Sequence, residues 1–146
     1  MSDIEDIYPL SPAQEGMLFH TVSAPESGLY VETTTFRVLG DLDVTALSAA
    51  WQTVIGRHPV LRSAFVRERI SVPQQVVLPK AVLHVDFRDL SDMDPDARER
   101  ETAQEVNRRR REPFDLTKPP LMRLLALRTG PREHLVVWTY HHLILD

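Results

Sequence analysis

From Val44 onward the apolar positions fall at Val44, Leu47, Trp51, Val54 and Ile55, a recurrence that puts them on one face of a helix. Asp43 stands where a side-chain cap is wanted, and Pro59 limits the helix because it has no N–H to bond the preceding turn. Ser11-Pro12-Ala13-Gln14 predicts another helix start: serine caps, proline suits the first helical position, and Gln14 can complete a capping box. That helix is expected to end before Glu26-Ser27-Gly28. A third helix opens at Asp94-Pro95 and runs through Glu105 to Arg108, Arg109, Arg110 and Arg111, with acids at its start and arginines in its last turn complementing the helix dipole.

Elsewhere the period is that of strands. Residues 30–39 (YVETTTFRVL) are rich in β-branched and aromatic side chains and close on Gly40-Asp41, which predicts a strand and a turn. Residues 121–128 (LMRLLALR) and 134–143 (HLVVWTYHHL) predict two more strands, joined by a turn at Gly130-Pro131. The almost unbroken apolar run from Leu135 to Tyr140 is what burial on both faces of a sheet requires. Shorter strands are expected at residues 63–67, 74–78 and 83–86, separated by Pro73 and Pro79. The sum is a mixed α/β fold, an α+β sandwich with helices packed on a mixed sheet, without internal repeats or low-complexity segments.

Composition narrows the chemistry. At 146 residues the chain is one domain or one lobe of a larger one, and 42% hydrophobic with 26% charged residues is ordinary for a globular protein. It has no cysteine, which excludes disulfides, thiolate metal sites and a cysteine nucleophile, so a histidine or a carboxylate has to carry any reaction. A formal net charge of −4 gives no basic field for nucleic acid. The opening Met-Ser-Asp-Ile-Glu-Asp lacks the charge and apolar run of a signal peptide, and no stretch approaches the roughly 18–20 apolar residues that span a bilayer. The expectation is a cytoplasmic protein with neither nucleic-acid nor membrane partners.

The candidate chemistry is at Tyr140-His141-His142-Leu143-Ile144-Leu145-Asp146. Adjacent residues of an extended chain point to opposite faces, so at most one of the two histidines looks directly into a given cleft, and parity alone does not say which. Asp146 lies four residues from His142, about 13 Å along a strand, and reaches it only if the chain bends between them; otherwise its natural partner is an arginine. Taken alone, the pair is compatible with structural hydrogen bonding, metal ligation or catalysis. Adjacent strand histidines diverge and no further ligand cluster accompanies them, so no metal is expected. The four arginines from Arg108 to Arg111 read as a solvated helix end, Arg98-Glu99-Arg100-Glu101 as an exposed face, and Arg57-His58-Pro59-Val60-Leu61-Arg62 as a helix exit bearing surface charge.

Three separated motifs together resemble the condensation domains of nonribosomal peptide synthetases. Residues 8–20 (YPLSPAQEGMLFH) look like the family's opening motif, and residues 57–65 (RHPVLRSAF) like its second, with Pro59 where the family often has Glu. His141-His142-Leu143-Ile144-Leu145-Asp146 is similar to the active-site motif HHxxxDG. Pro113-Phe114-Asp115-Leu116, followed by Pro120-Leu121-Met122-Arg123, is a further familiar segment.

The resemblance implies a lobe similar to chloramphenicol acetyltransferase, with residues 1–146 as the N-terminal lobe and the C-terminal lobe outside this chain. It implies peptide-bond formation between donor and acceptor amino acids held as thioesters on the 4′-phosphopantetheine arms of upstream and downstream peptidyl carrier proteins, beside an adenylation domain. No cofactor is bound directly, and the isolated lobe is expected to be inactive. By this likeness His142 is the catalytic residue, suited to the work because an ordinary histidine titrates near pH 6.5. His141, Asp146 and Arg62 support it, with Asp146 expected to pair with Arg62. Alternatives are a coenzyme A-dependent acyltransferase of the same fold, and a non-catalytic docking or folding lobe; the doubled histidine and the opening motif argue against the first.

Overall fold

The computed structural model describes residues 4–68 and 70–145. In chain order the elements are β1 (Asp6–Pro9), α1 (Pro12–Ser23), a 3-10 turn (Pro25–Ser27), β2 (Val31–Leu39), α2 (Val44–Arg57) and a second 3-10 turn (Pro59–Arg62). They continue with β3 (Ser63–Val66), β4 (Gln74–Val77), β5 (Val85–Asp89), α3 (Pro95–Arg111), β6 (Met122–Gly130) and β7 (Glu133–His141). The helix starts are built as their sequences dictate. Ser11 and Gln14 form the reciprocal capping box, Gln14 N–H donating to Ser11 Oγ at 3.2 Å and Ser11 N–H to Gln14 Oε1 at 3.0 Å. Asp43 accepts from Ala46 N–H, and Asp94 from the N–H groups of Asp96 and Ala97.

The main sheet has the order β2-β7-β6-β5, antiparallel except for the β5–β6 pair, which α3 connects as a crossover. Its two faces are covered by different helices. Leu125, Leu127 and Val137 pack with Leu90, Leu135 and Val106 of α3, while Leu124, Val136 and Trp138 face the larger core that includes Ile55 and Trp51 of α2. This double burial accounts for the unbroken apolar runs of β6 and β7. Leu121, Leu124, Leu125 and Leu127 are each at most 1% exposed, and each contributes on the order of 1.5–3 kcal/mol of burial. A smaller sheet, β1-β4-β3, lies beside the first.

Several expectations shift. The strand foreseen at 83–86 runs Val85–Asp89, where parallel pairing with β6 holds it, and the one foreseen to 143 stops at His141 because the chain turns there. β1 was not foreseen: it forms by pairing Asp6 to Pro9 against Val77 to Gln74. The arginine run is not all solvated, since Arg109 is 9% exposed and its Nη2 meets Asp86 Oδ2 at 2.5 Å. Among the described residues no helix is long and apolar enough to cross a membrane.

Candidate active site

β7 delivers the two histidines to different environments. Its register with β2 pairs Val31 with His141 and Glu32 with Tyr140, and the chain then turns, Ile144 N–H bonding back to the His141 carbonyl at 3.1 Å. His142 N–H donates to the carbonyl of Tyr30 at 2.8 Å. Tyr30 makes this contact from φ +65°, a left-handed conformation that is uncommon for a bulky side chain and characteristic of functional sites.

His141 points inward and is 1% exposed. Its Nδ1 accepts the Leu143 N–H at 3.1 Å, so the ring proton is on Nε2, which donates to Thr21 Oγ1 at 3.2 Å. The Thr21 hydroxyl in turn donates to the Met17 carbonyl at 2.8 Å, leaving each polar atom of the chain from turn to helix satisfied. Burial, and after it the neighbouring His142, push the His141 pKa down to about 4.

His141 binds its proton in the folded state only below about pH 4, whereas an unfolded histidine binds it below about 6.5. Between those values the unfolded state holds more protons, so stability rises with pH through the window and is lost as pH falls from about 6.5 to 4, by about 3 kcal/mol. Urea midpoints of wild type at pH 7 and pH 4.5 are expected to differ by more than those of His141→Asn; an equal difference would remove His141 as the source.

His142 takes the other face. Ring centroids of Trp51 and Trp138 are 5.1 Å apart, those of Trp138 and Tyr140 4.6 Å, and those of Tyr140 and His142 6.4 Å, so a row of aromatic rings leads along β7 to this histidine. The His142 side chain is 31% exposed. Its Nδ1 is covered and has no hydrogen-bond partner among the described residues, while Nε2 lies 3.8 Å from Glu32 Oε1. Nε2 is therefore the nitrogen placed to exchange a proton with a bound molecule.

The turn that carries His142 is pinned by the opening motif. Gln14, already closing the α1 cap, uses its Nε2 to donate to the Leu143 carbonyl at 3.2 Å and to Gln75 Oε1 at 3.1 Å. Gln75 donates onward to Ser63 Oγ at 2.8 Å, at the start of β3. A concavity of about 290 Å³ is lined by Ser11, Gln14, Met17, Val60, His142 and Leu145, which brings segments from residues 8–20, 57–65 and 141–146 to one place. On the His141 side a larger, more apolar concavity of about 430 Å³ lies between α1, β3 and the Phe114 segment, and Thr21 stands in its wall.

Arg62 is not the surface charge that its neighbourhood in sequence suggested: it is 5% exposed. Its Nε donates to the Ile55 carbonyl at 3.2 Å, Nη1 to Glu5 Oε2 at 2.5 Å and to the Leu78 carbonyl, and Nη2 to Glu5 Oε1 at 3.2 Å. The expected Arg62–Asp146 pair lies outside the described residues on its Asp146 side. Among the described residues no group of three His, Cys, Asp or Glu side chains converges as a metal site would need. Tyr30, Glu32, Gln14 and Thr21 were not singled out in the sequence as site residues. Gln14 carried a signal in its place in the capping box, whereas the other three owe their position to pairing across the sheet and helix.

The chain and its fold are similar to known proteins. The family model described as Condensation domain matches residues 4–146. The chain is similar to gramicidin S synthase 2 of Brevibacillus brevis, 35% identical over 143 residues that cover 98% of this chain and 3% of that protein. It is similar to surfactin synthase subunit 3 of Bacillus subtilis, 34% identical over 143 residues, covering 98% and 11%. In fold it resembles the starter condensation domain of rhizomide synthetase RzmA, with a TM-score of 0.84 at 23% identity, covering 97% of this chain and 34% of that one. The chain thus spans a small part of the synthetases it matches and about a third of that solved domain.

Proposed function

The chain belongs to the condensation-domain family, and from that premise we propose that it supplies one wall of a peptide-bond-forming site, as the N-terminal lobe of such a domain, with His142 as its catalytic residue. The observation that carries this reading is the division of labour between the two histidines. His141 spends both ring nitrogens on the protein and stays neutral, whereas His142 is held by its backbone, with Nε2 left for a substrate.

In this reading the donor is an aminoacyl or peptidyl thioester on the phosphopantetheine arm of an upstream carrier protein. The acceptor is an aminoacyl thioester on a downstream carrier, in a cytoplasmic synthetase that also holds an adenylation domain. The acceptor amine attacks the donor carbonyl, the C–N bond forms, the C–S bond breaks and the thiol leaves. His142 Nε2 accepts a proton from the attacking nitrogen, work that a positioned histidine performs well near neutral pH. His141 braces the strand end, and Gln14 and Arg62 fix the two segments beside it. Residues 1–146 supply one wall of the reaction chamber and, in this reading, are inactive without the other.

The test is to offer a complete condensation domain carrying this sequence an aminoacyl-loaded donor carrier and an aminoacyl-loaded acceptor carrier, and to read the product by mass spectrometry. A new amide on the acceptor arm is expected. Turnover with coenzyme A thioesters and free amines, but none with loaded carriers, would replace this reading with that of a coenzyme A-dependent acyltransferase.

A further inference from the structure

We infer that Glu32 binds the α-ammonium of the acceptor and holds it against His142; the inference rests on the reading of His142 as the proton acceptor and adds a substrate-binding residue to it. Glu32 sits on β2 directly opposite Tyr140 of β7, and residues directly opposite across an antiparallel pair project from the same face. It therefore shares a face with Tyr140 and with His142 beyond it. Its Oε1 is 3.8 Å from His142 Nε2, too far for a direct hydrogen bond. That gap is short enough for one nitrogen to lie about 2.9 Å from both atoms.

Charge and surroundings fit the same ligand. Other carboxylates of this sheet are matched by arginines, Glu133 by Arg37 and Asp89 by Arg128. Among the described residues the only basic group within salt-bridge distance of Glu32 is His142 itself. The Glu32 side chain is 52% exposed, so it can be reached from solvent. A primary ammonium satisfies the carboxylate.

The proton balance closes. The bound ammonium passes one proton to His142 Nε2, which exposes the nitrogen lone pair for attack on the donor carbonyl. Glu32 then faces an imidazolium instead of an ammonium and stays negative throughout. As the C–N bond forms and the C–S bond breaks, the nitrogen loses its second proton and the departing thiolate gains one. The products are an amide and a thiol, with one proton released to solvent.

The experiment measures binding without turnover, in the complete domain with His142→Ala. The probes are two hydrolysis-resistant pantetheine amides, one alanyl and one propionyl, which differ only in the amine. Adding Glu32→Gln is expected to weaken the alanyl probe about tenfold or more, the worth of one charge-assisted hydrogen bond, and the propionyl probe less than twofold. Glu32→Asp, a carboxylate drawn back by one methylene, is expected to fall between. Equal weakening of both probes, or none, overturns the inference. A thermal melt confirms that the half-exposed, isosteric Gln variant is folded. The base assignment fails by a different sign, namely wild-type turnover in His142→Ala alone.

Discussion

Arg62→Ala is expected to destabilise the domain by about 3–5 kcal/mol, measured as the shift in a urea unfolding curve at pH 7. The guanidinium is buried and makes four hydrogen bonds, to Glu5 twice and to the carbonyls of Ile55 and Leu78. Removing it leaves two carbonyls without their donor, each costing about 1–3 kcal/mol, and frees Glu5, which is only partly covered at 43% exposure and can turn to water. The loss also reaches the small sheet: Glu5 N–H bonds the Val77 carbonyl at 2.8 Å, just ahead of β1, so the ion pair helps to hold that edge strand on β4. Arg62→Met, which restores volume but not donors, is expected to recover only part of the stability. A double-mutant cycle with Glu5→Gln should give a coupling of about 0.5–3 kcal/mol. The cycle with Asp146→Ala tests the pairing implied by the family motif, and full additivity would show that the two side chains do not interact.

The buried role of Arg62 shows where the sequence stops being readable. Its acceptors come from a helix end, a strand end and the N-terminal segment, and no local pattern around residues 57–65 announces that these converge. β1 escaped for the same reason: Asp6–Pro9 is short, exposed along its length and without a period, and only its pairing with β4 makes it a strand. By contrast α2 and α3, with their caps and breakers, were placed to within a residue or two, because those signals are local. The unbroken apolar run of β7 foretold a strand buried on both faces of a sheet, and the mixed α/β class followed from the succession of helices and strands.

At the site, strand parity foretold that the histidines would part, and the structure supplies which goes where: His141 inward to Thr21, His142 toward the aromatic row. The bend that the spacing of His142 and Asp146 called into question begins immediately after His141. Glu32 could not be read from its own neighbourhood, since only the β2–β7 register sets it beside His142.

His142→Ala carries the largest functional effect. A positioned acid–base group contributes on the order of 10²–10⁴-fold to a proton-transfer step, and the rate of peptide formation should fall by that factor. Little else should change. The side chain is partly exposed, its Nδ1 bonds nothing among the described residues, and the backbone contact to Tyr30 does not involve the ring. Unfolding midpoints and donor-carrier affinity are therefore expected to stay near wild type, and added imidazole should restore part of the rate by occupying the vacated space. His141→Asn, in contrast, should cost stability before chemistry, because it disturbs the buried link to Thr21.

The most direct measurement is the single-turnover rate of amide formation between two loaded carriers, in a complete domain with and without His142→Ala. A loss of about 10²–10⁴-fold at unchanged carrier affinity is the predicted result; a rate equal to wild type would contradict the assignment of His142 as the residue that takes the proton.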